Sequence, residues 1–187
     1  MGDAMDVLMG RRSVGKVHDE PPSHDVLEQL LTAAVHAPNH HLTEPWRFIV
    51  LTGSARRAVG EAHAAATRRA RPDIGAEALE REAGRLDRAP VVIVCVVWTD
   101  QSDVVRARED RDAVAAAVQN LLLAAHHHGL GSMWRTGAMV DEPEVRQVLN
   151  LDVDAVIVGF VYLGRPAVTP AARTRGPLDD VVEWRTG

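Results

Sequence analysis

The chain has 187 residues, of which 46% are hydrophobic and 25% are charged, and its formal net charge is -5. This length predicts a single domain, residues 1–187, that is large enough to bury a sizeable core. The 26 acidic residues outnumber the 21 basic ones, so the sequence lacks the positive excess on which nucleic-acid binding depends.

The cysteine and histidine residues give no support for a disulfide or a metal site. The single cysteine, Cys95, excludes an internal disulfide and a CxxC motif, which fits a reducing compartment. His126, His127 and His128 are consecutive in a predicted helix and diverge by about 100° each, so they cannot close on one metal ion. The chain has no apolar run near the roughly 18 residues of a membrane helix and no secretory charge order. We therefore expect a soluble, cytoplasmic protein with no metal site and no membrane partner.

The first half of the chain predicts two helices, a loop and a strand. A ProProSer start signal and the helix-breaking Pro38 delimit the second helix, and prolines bracket the polar segment that follows it. In chain order, the predictions are a helix over residues 3–10 that buries Val7 and Leu8, a helix from Ser23 to Pro38, a loop over residues 38–45, and a strand over residues 46–52.

The second half predicts a buried strand, a buried helix and a terminal strand around a polar hairpin. Residues 54–88 are rich in Ala, Arg and Glu and predict a surface helical hairpin, which we consider as a possible lid. The run over residues 90–98 is continuously apolar and β-branched, which is typical of a central strand covered on both faces. The remaining predictions are a buried helix over residues 108–128, a short helix over residues 141–149, a strand over residues 155–163, and a proline-rich tail.

This order of elements favours an α+β sandwich over a doubly wound sheet, because helices and strands do not alternate regularly. Residues 113–125 are small and apolar around most of the helix, which permits close approach of another helix, as at a subunit interface.

Two groups of arginines are candidate anion sites. Arg11, Arg12 and Ser13 follow the first predicted helix and would suit a phosphate or a polyol chain, although arginines at a helix end also favour its dipole. Arg173 and Arg175 have the i, i+2 spacing that points two side chains the same way in an extended segment. They could clasp one phosphate or simply keep the tail soluble, and these residues alone leave both interpretations open.

Neither a dinucleotide-binding motif nor a hydrolase motif is supported by the sequence. Gly129-Leu-Gly131 lacks the third glycine of a dinucleotide fingerprint and follows a helix where that fingerprint follows a strand. There is no GxSxG nucleophile elbow, so hydrolysis has no positive support.

Four motifs in order nevertheless resemble a known family. They are RRSV at residues 11–14, APNHHLTEPWRF at residues 37–48, GLGSMWRTG at residues 129–137, and GFVYLGRP at residues 159–166. Together they resemble the FMN-dependent nitroreductase family, in particular its minimal, short branch, over nearly the whole chain.

The resemblance implies a nitroreductase-like α+β sandwich, with a central mixed sheet flanked by helices, that forms an intertwined homodimer with FMN at the subunit interface. It also implies an oxidoreductase that passes hydride from NADH or NADPH to an electron-poor acceptor, a nitroaromatic or a quinone, by a ping-pong mechanism. No catalytic side chain is required, because hydride exchange takes place at flavin N5 and the protein supplies orientation and electrostatics.

The resemblance also implies the cofactor contacts by position. They are Arg11, Arg12 and Ser13 at the phosphate and ribityl chain; His36, Asn39 and His40 reaching the flavin from the other subunit; Trp134, Arg135, Thr136 and Gly137 at the flavin ring; and Arg173 and Arg175 at the phosphate.

Two positions depart from the family pattern. Many relatives carry Lys or Arg two residues after the residue that matches Ser13, where this chain has Gly15, so Lys16 and Arg135 are the candidates for stabilising reduced flavin. The usual Gln before Pro-Trp is Glu44. The missing cation keeps open an alternative, a flavin-binding carrier or regulatory dimer with little turnover, and a dimer that binds no flavin is a third hypothesis.

Overall fold

A computed structural model describes residues 3–171 and 174–187, and within these residues it contains six α-helices and four β-strands. The helices are α1 Ala4–Gly10, α2 His24–Val35, α3 Ser54–Ala70, α4 Ala76–Ala83, α5 Val104–His127 and α6 Pro143–Val148. The strands are β1 Trp46–Thr52, β2 Val91–Trp98, β3 Gly131–Arg135 and β4 Ala155–Gly164. The α+β class is confirmed, as are the predicted elements, with small shifts at their ends.

The four strands form one sheet in the order β1-β2-β4-β3, and every pair of named strands is antiparallel. The expected mixed sheet is therefore wrong for this chain. Helix α5 returns the chain so that β3 runs in the same direction as β2, but β4 lies between them and runs opposite to both. Parallel strands thus never become neighbours.

Strand β2 is buried on both faces, as its unbroken apolar run predicts. Alternate side chains point to opposite faces of a strand, so the sheet carries two separate apolar surfaces. Val91, Ile93, Cys95 and Val97 pack in the core under α2 and α5, whereas Val92, Val94 and Val96 pack in the core under α3 and α6. The molecule consequently has three layers, with the sheet between two sets of helices.

Cys95 lies within the first of these cores and is fully buried. Burial raises the pKa of its thiol to about 12, so the reactive thiolate is scarce near neutral pH. Cys95 is thus a small core residue, as the sequence indicates.

The helical hairpin over residues 54–88 is part of the core, so the prediction of a surface hairpin is wrong for α3. Val59 and Ala62 of α3 are buried against the second face of the sheet. Gly60 packs so closely on α4 that a Cβ atom there would collide with the carbonyl oxygen of Ala83. The sequence does not reveal this burial of α3, because three of its buried residues are alanines. Alanine is short and is tolerated on any face of a helix.

Buried His63 of α3 contacts two other helices of the same layer. Its Nδ1 lies 2.7 Å from a carboxylate oxygen of Glu142, at the start of α6, and its Nε2 lies 3.1 Å from one of Glu82 in α4. These two contacts join α3 to α4 and α6.

Helix α1 begins after Asp3, whose side chain forms a capping box with Asp6. The prediction that α1 buries Leu8 is wrong within one chain: Leu8 is 51% exposed, and Met5 and Met9 are exposed beside it. No helix in the described residues is long and apolar enough to cross a membrane.

Candidate cofactor site

The arginine motif that follows α1 lies beside the edge strand β3. The backbone N–H of Val14 donates to the carbonyl oxygen of Ser132 at 2.9 Å, and Ser13 forms a parallel bridge with Ser132. The first and third motifs, which are far apart in the sequence, therefore meet at this edge of the sheet.

The C-terminal part of the chain reaches the same place. The N–H of His18 donates to the carbonyl oxygen of Arg165, and the N–H of Ala167 donates to that of Lys16. Beyond this pairing, Arg175 comes close enough to Arg11 for its charge to act on it. Arg173, the other expected phosphate ligand, lies outside the described residues.

Arg11, Arg12 and Arg175 form what we call the arginine cluster. Burial, followed by the positive charges of Arg175 and Arg12, lowers the pKa of Arg11 below the usual value for arginine. Like charges brought together in this way repel one another, and a bound anion would relieve the repulsion. Guanidinium groups match phosphate oxygens in geometry as well as in charge, so the cluster suits a phosphate.

Arg12 differs from Arg11 in what its side chain contacts. Its Nη1 donates to the carbonyl oxygens of Met9, at 2.5 Å, and of Arg11, at 2.9 Å, and so closes the C-terminal end of α1. Its Nε is buried and has no hydrogen-bond partner among residues 3–171 and 174–187. The helix-end interpretation thus describes Arg12, whereas the anion interpretation fits Arg11.

The end of β3 provides an open backbone edge on the same strand that the arginine motif joins at Ser132. Trp134 packs over Gly159, where a Cβ atom would collide with the indole, and the buried indole nitrogen has no partner within the described residues. At Gly137, by contrast, a Cβ atom would meet nothing within 4 Å, and φ is +144°. A flat ligand could therefore approach the backbone at Thr136 and Gly137 closely.

Arg135 places a positive charge beside Gly15. A Cβ atom at Gly15 would lie 4.0 Å from Nη2 of Arg135, and the guanidinium stands 5.6 Å from the centre of the Tyr162 ring. The charge of Arg135 thus lies next to the position at which the sequence lacks the expected cation. Lys16 is exposed, and its backbone pairs with Ala167.

The second group of expected site residues lies elsewhere in the same chain. His36 closes α2 by donating from Nδ1 to the carbonyl oxygen of Thr32 at 2.7 Å. Asn39 and His40 lie in the proline-bracketed loop, residues 38–45, which packs against the first half of α5. The amide of Asn39 is already engaged, since it donates to Oγ1 of Thr43 at 2.8 Å and accepts from the N–H of Glu44 at 2.7 Å.

The length of α5 separates the two groups. Thr43 of the loop contacts Asp110, whereas a Cβ atom at Gly10, next to Arg11, would lie 3.0 Å from the ring of His126. Asp110 and His126 are 16 positions apart on one helix, which at 1.5 Å per residue is about 24 Å. One chain therefore does not bring the loop and the arginine cluster to the same point.

Sequence reasoning missed the buried carboxylate of Asp110, which accepts hydrogen bonds from Thr43 and Thr99. The sequence carries no signal for it, because Asp110 lies within the charged run of residues 108–112, REDRD, and a carboxylate in such a run is usually solvated.

Comparison with known proteins places this arrangement in a family. Residues 8–165 match the nitroreductase family. YfhC of Bacillus subtilis, a protein named for NAD(P)H nitroreductase activity, is 32% identical over 177 residues, which is 94% of this chain and 90% of YfhC. The chain belongs to the nitroreductase family. The resemblance found in the four motifs is thereby confirmed.

Solved structures agree with this assignment. A nitroreductase-like family protein from Bacillus cereus superposes on this nitroreductase-family chain with a TM-score of 0.87 and 28% identity, covering 100% of this chain and 98% of the other. A nitroreductase from Bacteroides fragilis, described with bound FMN, gives a TM-score of 0.77 at 21% identity and covers 100% of both chains. At that identity the second comparison shows the fold alone. The nitroreductase-like α+β fold is thus confirmed.

Proposed function

We propose that this nitroreductase-family protein is an FMN-dependent oxidoreductase that takes hydride from NADH or NADPH and passes it to a nitroaromatic or quinone acceptor by a ping-pong mechanism. The observation that carries the proposal is that the arginine motif pairs with the start of β3 at Ser132, while the same strand leads at its other end to the open backbone at Gly137. Flavin, when bound, supplies the hydride chemistry at its N5 atom. The name of YfhC and the FMN in the Bacteroides fragilis protein support the same assignment.

At the phosphate end, Arg11 and Arg175 supply positive charge, and we assign Arg173 the same role by its position in the sequence. Ser13 lies between this cluster and β3 and would contact the ribityl chain. Arg12 acts mainly by holding the end of α1, which keeps Arg11 in place.

At the ring end, we assign the contacts to Trp134, Arg135, Thr136 and Gly137. Trp134 is held by its packing on Gly159 and forms a rigid apolar support. The open space at Gly137 lets a backbone N–H reach polar atoms at the edge of a flat ring. The protein orients the cofactor and its substrates and holds charge nearby, so no side chain need act as an acid or base.

The site requires a second copy of the chain, and we propose a homodimer. The contact of Thr43 with α5 lies about 24 Å along the helix from the contact beside the arginine cluster, so we assign Asn39 and His40 of the loop, with His36 before it, to the site of another subunit. Apolar side chains are also left uncovered at both ends of the chain: Met5, Leu8 and Met9 in α1, and Leu178, Val181 and Trp184 in the tail. A symmetric partner would bury them.

The carrier alternative is less well supported than the sequence suggests. It rested on the missing cation at Gly15, and the guanidinium of Arg135 lies beside that position. We propose that Arg135, rather than Lys16, supplies the positive charge near the flavin.

The proposed reaction predicts a complete redox cycle in the purified protein. Visible flavin absorbance should bleach with NADH or NADPH under anaerobic conditions and recover when a nitroaromatic or quinone is added. Stopped-flow spectroscopy measures both half-reactions. Bound FMN that neither nucleotide bleaches would favour the carrier, and a protein that cannot be loaded with FMN would favour the third hypothesis.

Removing Arg175 should weaken FMN binding. A charge-assisted hydrogen bond is worth roughly 1.5 to 3 kcal/mol, so Arg175→Ala should raise the FMN dissociation constant about tenfold to a hundredfold. Riboflavin, which has no phosphate, should bind as it does to the parent. Arg185→Ala is the matched control, because Arg185 is an exposed arginine of the same tail that pairs with Glu183. Equal FMN affinities in the parent and Arg175→Ala would refute the phosphate assignment.

The dimer predicts a species of about 41 kDa, twice the 20.3 kDa of one chain, at low micromolar concentration. Leu8→Glu should weaken it, because a charge would enter the apolar face of α1, whereas Val153→Glu, at an equally apolar but 84% exposed position, should not. Sedimentation velocity measures both variants. A folded monomer that retains FMN would contradict the shared site.

Arg135→Ala should lower the reduction potential of bound FMN, since a positive charge stabilises the more negative, reduced flavin. A loss of about 1.4 kcal/mol corresponds to roughly 30 mV for a two-electron couple. The half-reaction with NAD(P)H should slow more than the half-reaction with the acceptor. Lys16→Ala is the control: if it lowers the potential and Arg135→Ala does not, the charge belongs to Lys16.

A further inference from the structure

A buried carboxylate holds the proline-bracketed loop from within the core. Asp110 in α5 is only 3% exposed, and it accepts hydrogen bonds from Oγ1 of Thr43 at 2.6 Å and of Thr99 at 2.5 Å. A carboxylate is costly to bury unless it is well hydrogen-bonded. The next turn of α5 buries Ala113 and Val114, so an apolar side chain would suit the packing at this level of the helix.

The hydrogen bond between Thr43 of the loop and Asp110 has a fixed direction. An ionised carboxylate only accepts, so the hydroxyl of Thr43 must donate to Asp110, and its oxygen is left to accept from Nδ2 of Asn39 at 2.8 Å. This contact in turn orients the Asn39 amide. Its Nδ2 also donates to the carbonyl oxygen of His40 at 3.1 Å, and its Oδ1 accepts from the N–H of Glu44 at 2.7 Å.

The loop held in this way has an unfavourable backbone. His41, Leu42 and Glu44 have φ angles of 58°, 53° and 44°, in the left-handed region that side chains other than glycine rarely adopt. Such a conformation persists only when surrounding contacts enforce it. Within the described residues, the Asn39 amide and Thr43 supply side-chain contacts that cross this segment, and Asp110 anchors them to α5.

We infer that Asp110 is a positioning residue that acts through Thr43 and Asn39 to hold residues 39–44 in the shape that presents His40 to the FMN of the partner subunit. The inference rests on the proposed function, because it concerns how that FMN site is completed. It also reassigns Asn39: its amide is used within the loop, so Asn39 shapes the site and does not contact FMN through its side chain.

Two isosteric substitutions separate positioning from general stability. Thr43→Val and Thr99→Val each remove one hydroxyl that donates to the carboxylate of Asp110. Of these two hydroxyls, the one of Thr43 also accepts from Asn39 in the loop. Both should lower the melting temperature. Thr43→Val should also raise the FMN dissociation constant about tenfold and change the visible circular dichroism of bound FMN, because the loop no longer fits the flavin. Thr99→Val should keep the parental affinity and spectrum.

Thr43→Ser and Asp110→Ala complete the test. Serine retains the hydroxyl, so Thr43→Ser should retain FMN affinity and the spectrum. Alanine at position 110 offers no acceptor to Thr43, so Asp110→Ala should behave like Thr43→Val. If Thr43→Val fails to fold, Thr43→Ser and Asp110→Ala still compare the presence and the absence of the same hydrogen bond.

Each outcome decides the inference. Equal FMN affinities for Thr43→Val and Thr99→Val, or parental binding by Asp110→Ala, would show that Asp110 is merely structural. A parent protein that binds FMN while all four variants bind it equally well overturns this inference alone. A parent that binds no FMN overturns the proposed function, and this inference with it.

Discussion

The burial of β2 and β4 on both faces is the constraint from which the rest of the architecture follows. These two central strands carry apolar side chains on both faces of the sheet, so each face must be covered by helices. Helices α2 and α5 pack on one face, and α3 and α6 pack on the other. Once both faces are occupied, only the edges of the sheet remain open to a ligand. Strand β3 forms one of these edges, and the segment around Ser13 pairs with it. The position of the proposed cofactor site along β3 thus follows from how the core is filled.

Helix α5 determines how such a site can be completed. Its two ends contact different parts of the proposed site: Gly10, beside the arginine cluster, at one end and Thr43 of the loop at the other. About 24 Å of rigid helix cannot be shortened by a loop movement. In the proposed dimer, two copies related by symmetry would solve the problem, because the loop of each would complete the site of the other. The uncovered apolar side chains of α1 and of the tail agree with this arrangement.

Several polar side chains at and near the proposed site form hydrogen bonds with other residues of the protein. Arg12 closes α1, Asn39 braces its own loop, and Asp110 orients Thr43. These contacts fix side chains and backbone in advance, which lowers the entropy lost when a cofactor binds. Arg11, Arg135 and Gly137, in contrast, leave charge or open space directed at the proposed site. This division explains how the chain can support flavin chemistry without an obvious catalytic acid or base.

The sequence by itself determined the elements, the α+β class and the family. Periodicity and caps predict α2 and β1 closely, because these signals are local, and four ordered motifs are sufficient for the family even where each is weak. It did not determine that the sheet is wholly antiparallel or that α3 lies in the core, because strand neighbours and alanine-lined contacts depend on the whole chain. Nor could it separate Arg11 from Arg12, or identify Asp110 as more than a solvated carboxylate. Only the tertiary structure decided these points, since a side chain's role depends on which donors, acceptors and charges the fold brings within a few ångströms of it.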